Sequence, residues 1–176
     1  MATKKQNEID LILAVDKKIK GIRTRSLDIS FNELLDMYKS GELIIDPDYQ
    51  RLFRWDETKQ SQFIESLILE LPLPPIFVVE AEEGKFELID GLQRISTYLN
   101  FRGELPNKKN LTLQNCDIVQ ELNTLNYGDL PPALRIKLKR NFIRVEIIRK
   151  ESDRRLRYYM FKRLNTGGEK LVVTME

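Results

Sequence analysis

Phe86-Glu87-Leu88-Ile89-Asp90-Gly91-Leu92-Gln93-Arg94 is the stretch on which the fold turns. Up to Ile89 the pattern is that of a strand. After Gly91, Ile95, Tyr98, Leu99 and Phe101 recur at helical spacing, and the run ends near Gly103. A change of period this abrupt marks a strand that passes directly into a helix. Upstream, Ile76-Phe77-Val78-Val79 and a turn at Glu83-Gly84 complete a β-hairpin. Before it, Asp56 caps a helix over residues 57–70 with Phe63, Ile64, Leu67, Ile68 and Leu71 on one face, and Pro72, Pro74 and Pro75 forbid its continuation. Ser30-Phe31-Asn32-Glu33 has the form of a capping box, so a helix runs from Phe31 to about Ser40 and stops at Gly41. A short strand at 43–45 and an irregular stretch at 46–55 follow.

Downstream, residues 107–126 are polar and weakly patterned. Asp129-Leu130-Pro131-Pro132 resembles a helix start, residues 141–149 alternate like a strand, and a last helix covers 153–164 before Asn165-Thr166-Gly167-Gly168. Ile9 to Val15 forms a short amphipathic N-terminal helix. Its apolar run, Leu11 to Val15, is bracketed by Asp10 and Asp16 and lacks a cleavage site, so it is no signal peptide. No apolar run approaches the ~20 residues of a membrane span. Hairpins in place of regular βαβ alternation predict an α+β domain over residues 26–176, preceded by an extension over 1–25.

Composition narrows the chemistry. The 176 residues include one Cys and no His. Ser–His–Asp triads, HEXXH zinc sites and His-dependent nuclease sites are therefore excluded, as are a zinc cluster and an internal disulfide. Catalysis would have to use carboxylates, Arg, Lys, Tyr and backbone amides, and the lone thiol points to a cytoplasmic address. The 29 basic and 27 acidic residues are unevenly placed. Residues 42–90 hold 12 acids and four bases, a net of −8; residues 135–163 hold 12 bases and three acids, a net of +9. Either the basic half meets a polyanion, or the two halves pack together and neutralise each other.

Three constellations carry candidate chemistry. In Asp48-Tyr49-Gln50-Arg51-Leu52-Phe53-Arg54-Trp55, Gln50, Arg51 and Arg54 suit phosphate oxygens and the aromatics suit a planar base. The plainer alternative is that Phe53 and Trp55 fasten the next helix to the core. In Asp90–Arg94, a helix N-terminus follows a strand. Gly91 permits close approach, Arg94 adds a charge-assisted bond, and Asp90 either caps the helix or holds magnesium. Asn165, Thr166 and Gly167 form either an anion-binding nest or an ordinary helix stop.

In this order, Tyr49-Gln50-Arg51 with Trp55, then Asp90–Arg94, then Phe161-Lys162-Arg163-Leu164-Asn165-Thr166-Gly167-Gly168 resembles the N-terminal domain of GmrSD-type, modification-dependent restriction endonucleases. The resemblance extends from about Ser26 to Glu176. It implies a ParB/sulfiredoxin-like fold and an NTP-binding, NTP-hydrolysing module that regulates DNA cleavage by a nuclease domain or subunit located elsewhere. The family's Asp-Gly-Gln-Gln-Arg signature falls on Asp90 to Arg94, with Leu92 in place of the first Gln. The Cys and His of the sulfiredoxin turn correspond to Leu92 and Gln93, which excludes sulfinic-acid reduction.

The leading expectation is an NTP with Mg2+ held by the Gly91 amides, Arg94, Gln50, Arg51 and Arg54. Asn165, Thr166 and Gly167 close the pocket, Gln93 orients water and Asp90 ligates the metal. The rival is a DNA-binding module without hydrolysis, using Arg140, Arg154, Arg155 and Arg157 with Tyr158 and Tyr159. A stand-alone protein-interaction domain is the third.

Overall fold

A computed structural model describes residues 2–150 and 152–165. Helix α1 (Ala2–Lys20) leads into strand β1 (Thr24–Ser30), and α2 (Phe31–Ser40) follows at once. The Ser30 hydroxyl accepts the Glu33 N–H at 3.1 Å, and Gly41, at φ 80°, ends α2 in the left-handed conformation. Strand β2 (Leu43–Ile44) precedes a four-residue helix, α3 (Pro47–Gln50), within the stretch expected to be irregular. Asp46 caps α3 and Pro47 opens it, a start signal that its shortness conceals. Next come α4 (Glu57–Ile68), β3 (Ile76–Glu80), β4 (Phe86–Asp90) and α5 (Leu92–Phe101). The chain closes with α6 (Pro132–Arg140), β5 (Phe142–Ile148) and α7 (Arg154–Asn165).

The five strands form one mixed sheet in the order β1-β5-β3-β4-β2. The expected hairpin is the antiparallel β3–β4 pair, with Val78 opposite Leu88. Strand β5 pairs antiparallel with β1 and parallel with β3, while β2 runs parallel to β4. The domain is therefore α+β, a mixed sheet flanked by helices. Strand β1 carries no clear sequence signal: it is an edge strand in which only Ile29 is buried.

Phe31, Leu34 and Leu35 of α2, Phe63, Ile64, Leu67 and Ile68 of α4, and Ile95 and Leu99 of α5 bury themselves against Ile76, Val78, Leu88 and Val145. Leu71, expected on the α4 face, lies past the end of that helix and is exposed. Neighbours on a strand point to opposite faces, yet Ile147 and Ile148 are both buried, as are Leu88 and Ile89. Both faces of the sheet are thus covered there, and α7 packs against β4. Starting where Asp153 N–H bonds to the Gly21 carbonyl beside β1, α7 has 12 residues. That length, about 18 Å, spans the three strand spacings from β1 to β4. The polar stretch after α5 has no long helix or strand, but it sends Leu111, Leu113 and Leu122 into the core.

Helix α1 is longer than expected, and its Ile9, Leu11, Ile12, Leu13, Val15 and Ile19 remain 44–65% exposed. Among the described residues no helix is long and apolar enough to cross a membrane.

Candidate functional site

The turn from β4 to α5 is built around Gly91. Its φ of 105° is left-handed, and a Cβ there would run into the side chain of Ile76, whose own Cβ lies only 2.9 Å away. Only glycine joins these two elements without strain. Gly91, not Asp90, is the N-cap of α5, and it offers no side chain to the helix amides. Tyr49 supplies what the cap lacks. Its hydroxyl donates to the Ile89 carbonyl at 3.2 Å, and the hydroxyl oxygen in turn faces the Leu92 N–H. Burial, reinforced by the negative charge of Asp90, pushes the Tyr49 hydroxyl up to about 12, so it stays a neutral donor. The sequence places Tyr49 in the loop; only the long-range contact from α3 to β4 reveals its capping role.

Asp90 receives the Gly91 N–H and faces Arg94, with Arg94 Nη2 3.9 Å from Asp90 Oδ2. Burial nevertheless outweighs both and raises the Asp90 carboxyl above its usual range. On the same strand, burial and then Asp46 raise Glu87. Arg94 is 14% exposed and its guanidinium is engaged: Nη1 donates to the Pro74 carbonyl and Nη2 to that of Pro75 at 3.1 Å. The Pro-rich link cannot donate hydrogen bonds from its prolines, so its carbonyls are satisfied by this planar fork. Burial lowers the Arg94 pKa.

Gln93 joins two of the sequence constellations. Its Nε2 donates to the Leu52 carbonyl at 2.6 Å, and its Oε1 accepts the N–H groups of Arg54 at 2.9 Å and Trp55 at 3.1 Å. The amide expected to orient water is instead a clamp holding the 52–55 loop to the first turn of α5. From there Gln60 Nε2 donates to the Trp55 carbonyl, and Asn100 donates to Gln60 Oε1 at 3.0 Å. Phe53 is buried, and Trp55 packs against Phe63 with ring centroids 5.9 Å apart, so the aromatics serve the core.

Gln50 is half-buried at the end of α3, and Arg51 and Arg54 are exposed beyond it. Arg51 pairs with Asp48 at 3.4 Å, with the side chains 80% and 87% exposed, so solvent screens the pair and either partner is easily released. Leu92, where the resemblance leads one to expect Gln, is 3% exposed and faces the core. A longer polar side chain there would be directed inward. Of the first-turn donors, the amides of Gln93 and Arg94 have no acceptor within the helix.

The remaining candidates divide. Asn165 ends α7, which crosses the sheet to reach β4, while Thr166 and Gly167 lie outside the described residues. Arg154 and Arg155 are exposed on α7, and Arg157 lies in the same helix. Arg140 ends α6, which packs with α2 and α4, so it does not share a surface element with the α7 arginines. Several bases of the second half meet acids. Lys137 lies 3.8 Å from Glu70, Arg149 4.0 Å from Glu80 and Lys150 3.7 Å from Glu82. Neutralisation between the halves, one of the two sequence alternatives, is in part realised. Cys116 is buried, which pushes its thiol up to about 11 and removes it as a nucleophile.

A sequence model of the GmrSD restriction endonuclease, N-terminal domain, matches residues 31–173. The chain belongs to that family. No curated protein and no solved structure matches it. The family is a restriction-endonuclease-associated N-terminal domain, consistent with a DNA-targeting defence system and compatible with a nuclease partner. The matched span takes in the strand-to-helix turn, the loop that Gln93 holds and the whole of the sheet except β1.

Proposed function

We propose that this domain binds a nucleoside triphosphate at the β4–α5 turn and hydrolyses it to regulate a nuclease domain or subunit in DNA restriction. The observation that supports this most is the Gln93 clamp. Two segments 40 residues apart, each suited to phosphate on sequence grounds, are fixed side by side by three hydrogen bonds. The turn would offer the Gln93 and Arg94 amides at the positive end of the α5 dipole, and the loop would offer Arg51 and Arg54. Gln50, at the end of α3, would add a side-chain amide, and Asn165, Thr166 and Gly167 are proposed as the remaining ligands.

The roles within this site differ from a simple reading of the signature. Arg94 braces the Pro74-Pro75 link and holds Asp90, so it shapes the turn as well as contributing charge. Gln93 is a positioning residue. Among the described residues no three His, Cys, Asp or Glu side chains converge as a metal cluster. Asp90 can thus supply one ligand to Mg2+, which suits an ion that takes its other ligands from phosphates and water. The ion would neutralise charge on the phosphates.

Isothermal titration with each of the four common NTPs, with Mg2+ present, is the test. Binding of at least one, weakened about tenfold in Arg51→Ala by loss of about 1.4 kcal/mol, is the expected result. Arg51 is the right variant because it is exposed, whereas Arg94→Ala would disturb the fold as well. No binding by any NTP overturns the proposal.

A further inference from the structure

Helix α1 carries an apolar stripe that the domain does not cover. Every residue from Thr3 to Lys20 is exposed, and Ile9, Ile12, Val15 and Ile19 recur at spacings of three and four. At about 100° per residue these four lie within an arc of about 120°, with Leu11 and Leu13 about 40° beyond its two edges. All six are 44–65% exposed. A contiguous apolar face of this kind marks a contact surface. A helix with four β-branched apolar residues is also marginal in water unless that face is packed. The family match begins at residue 31, so α1 stands outside it.

The charges along the stripe say what covers it. On the same helical side, Glu8 stands at its start, Asp16 within it and Lys20 at its end, while Asp10, Lys17 and Lys18 lie on the opposite side. In a parallel, in-register pair of such helices each of these charges would meet its own copy and be repelled. An antiparallel pair centred on Ala14 sets Glu8 opposite Lys20, Ile9 opposite Ile19 and Leu13 opposite Val15. Each contact then occurs twice, as a two-fold interface requires. The overlap, residues 8–20, is about 20 Å long. Asp16 falls opposite Ile12, and a single polar residue in such a seam fixes the register at a cost in affinity. A lipid surface suits the stripe less well. Helix α1 has no Trp, Tyr or Phe to anchor it at a membrane interface, and anionic headgroups would repel Asp16.

We propose that α1 docks a second copy of this chain, pairing antiparallel with α1 of that copy through Ile9, Ile12, Val15 and Ile19. The interface is short and carries Asp16, so association falls in the micromolar range. It uses no residue of the domain core and no residue of the β4–α5 turn. It therefore stands whether or not a nucleotide binds there.

Sedimentation velocity of the full chain, over about 1–200 µM protein, is the test. The expected result is a shift with concentration from one chain of 20.8 kDa toward two. Ile12→Glu places a charge in the seam of both helices and should weaken association about 100-fold or more. Its melting temperature should match the wild type, because Ile12 is 60% exposed and lies outside the core. Lys20→Glu sets an acid against Glu8 and should weaken the pair about fivefold, and adding Glu8→Lys should restore it. A wild type that stays monomeric throughout, or a dimer that Ile12→Glu leaves intact, overturns the proposal. So does a loss in Lys20→Glu that Glu8→Lys fails to restore, since only the antiparallel arrangement couples these two positions. Wild-type binding to phosphatidylcholine–phosphatidylserine vesicles that Ile12→Glu abolishes, without self-association, would assign the stripe to lipid and overturn it as well.

Discussion

Gly91, Tyr49, Gln93 and Asp90 each do a different job within one turn, and each makes its own prediction. Gly91→Ala must accept both a left-handed backbone and an overlap with Ile76. It should cost about 3 kcal/mol, read as a lower denaturation midpoint in urea. Tyr49→Phe removes only the hydroxyl that bridges the Ile89 carbonyl and the end of α5. A loss of about 1 kcal/mol with an unchanged fold by circular dichroism is expected. Gln93→Leu keeps the volume but strands two amides and a carbonyl of the loop; a loss of about 2–3 kcal/mol is expected, with nucleotide binding lost along with it. Had Gln93 acted only on water, stability would not change. For Asp90 the sign matters. Its folded pKa is raised by burial, so its contribution favours the folded state below the unfolded pKa and is lost as pH rises through the folded value. Asp90→Asn should therefore raise the melting temperature at pH 7 and give no gain near pH 3, while abolishing activity. A melting temperature that falls at both pH values would contradict burial as the dominant cause.

At the scale of elements, legibility followed how local the cause is. Helices α2, α4, α5, α6 and α7, the β3–β4 hairpin and β5 announce themselves through caps, Pro positions and periodicity within a dozen residues. Strand β1 does not, because an edge strand with one buried side chain leaves little apolar pattern. Helix α3 is too short to show a period, and the stretch after α5 buries Leu111 and Leu113 without a repeating backbone. The candidate site divides in the same way. Its residue types were readable, but whether Gln93 faces water or a loop, and whether Leu92 faces out or in, depends on contacts across 40 residues. Helix α1 makes the prediction at this scale. An exposed helix of this length is marginal in water on its own, and its apolar residues do not enter the core. Removing residues 1–19 should change the unfolding free energy by no more than about 0.5 kcal/mol. A larger loss would mean that α1 packs on the domain.

For the whole molecule, a charge of +2 conceals an acidic segment over residues 42–90 and a basic one over 135–163. The parallel pairing of β5 with β3 lays Arg149 and Lys150 against Glu80 and Glu82, so part of the apparent basic surface is internal bookkeeping. Arg154 and Arg155 stay exposed on α7, and Arg51 stays exposed near the β4–α5 turn. The sheet brings that turn, the Arg51 loop and the end of α7 toward the β4 side of the sheet. A nucleotide bound at that place would join these features into one site. A crystal structure with a non-hydrolysable NTP and Mg2+ decides it. Phosphate density is expected against the Gln93 and Arg94 amides, within reach of Arg51 and with Asp90 beside the metal. A nucleotide bound elsewhere on the domain, or none at saturating concentration, would contradict a nucleotide site at the β4–α5 turn.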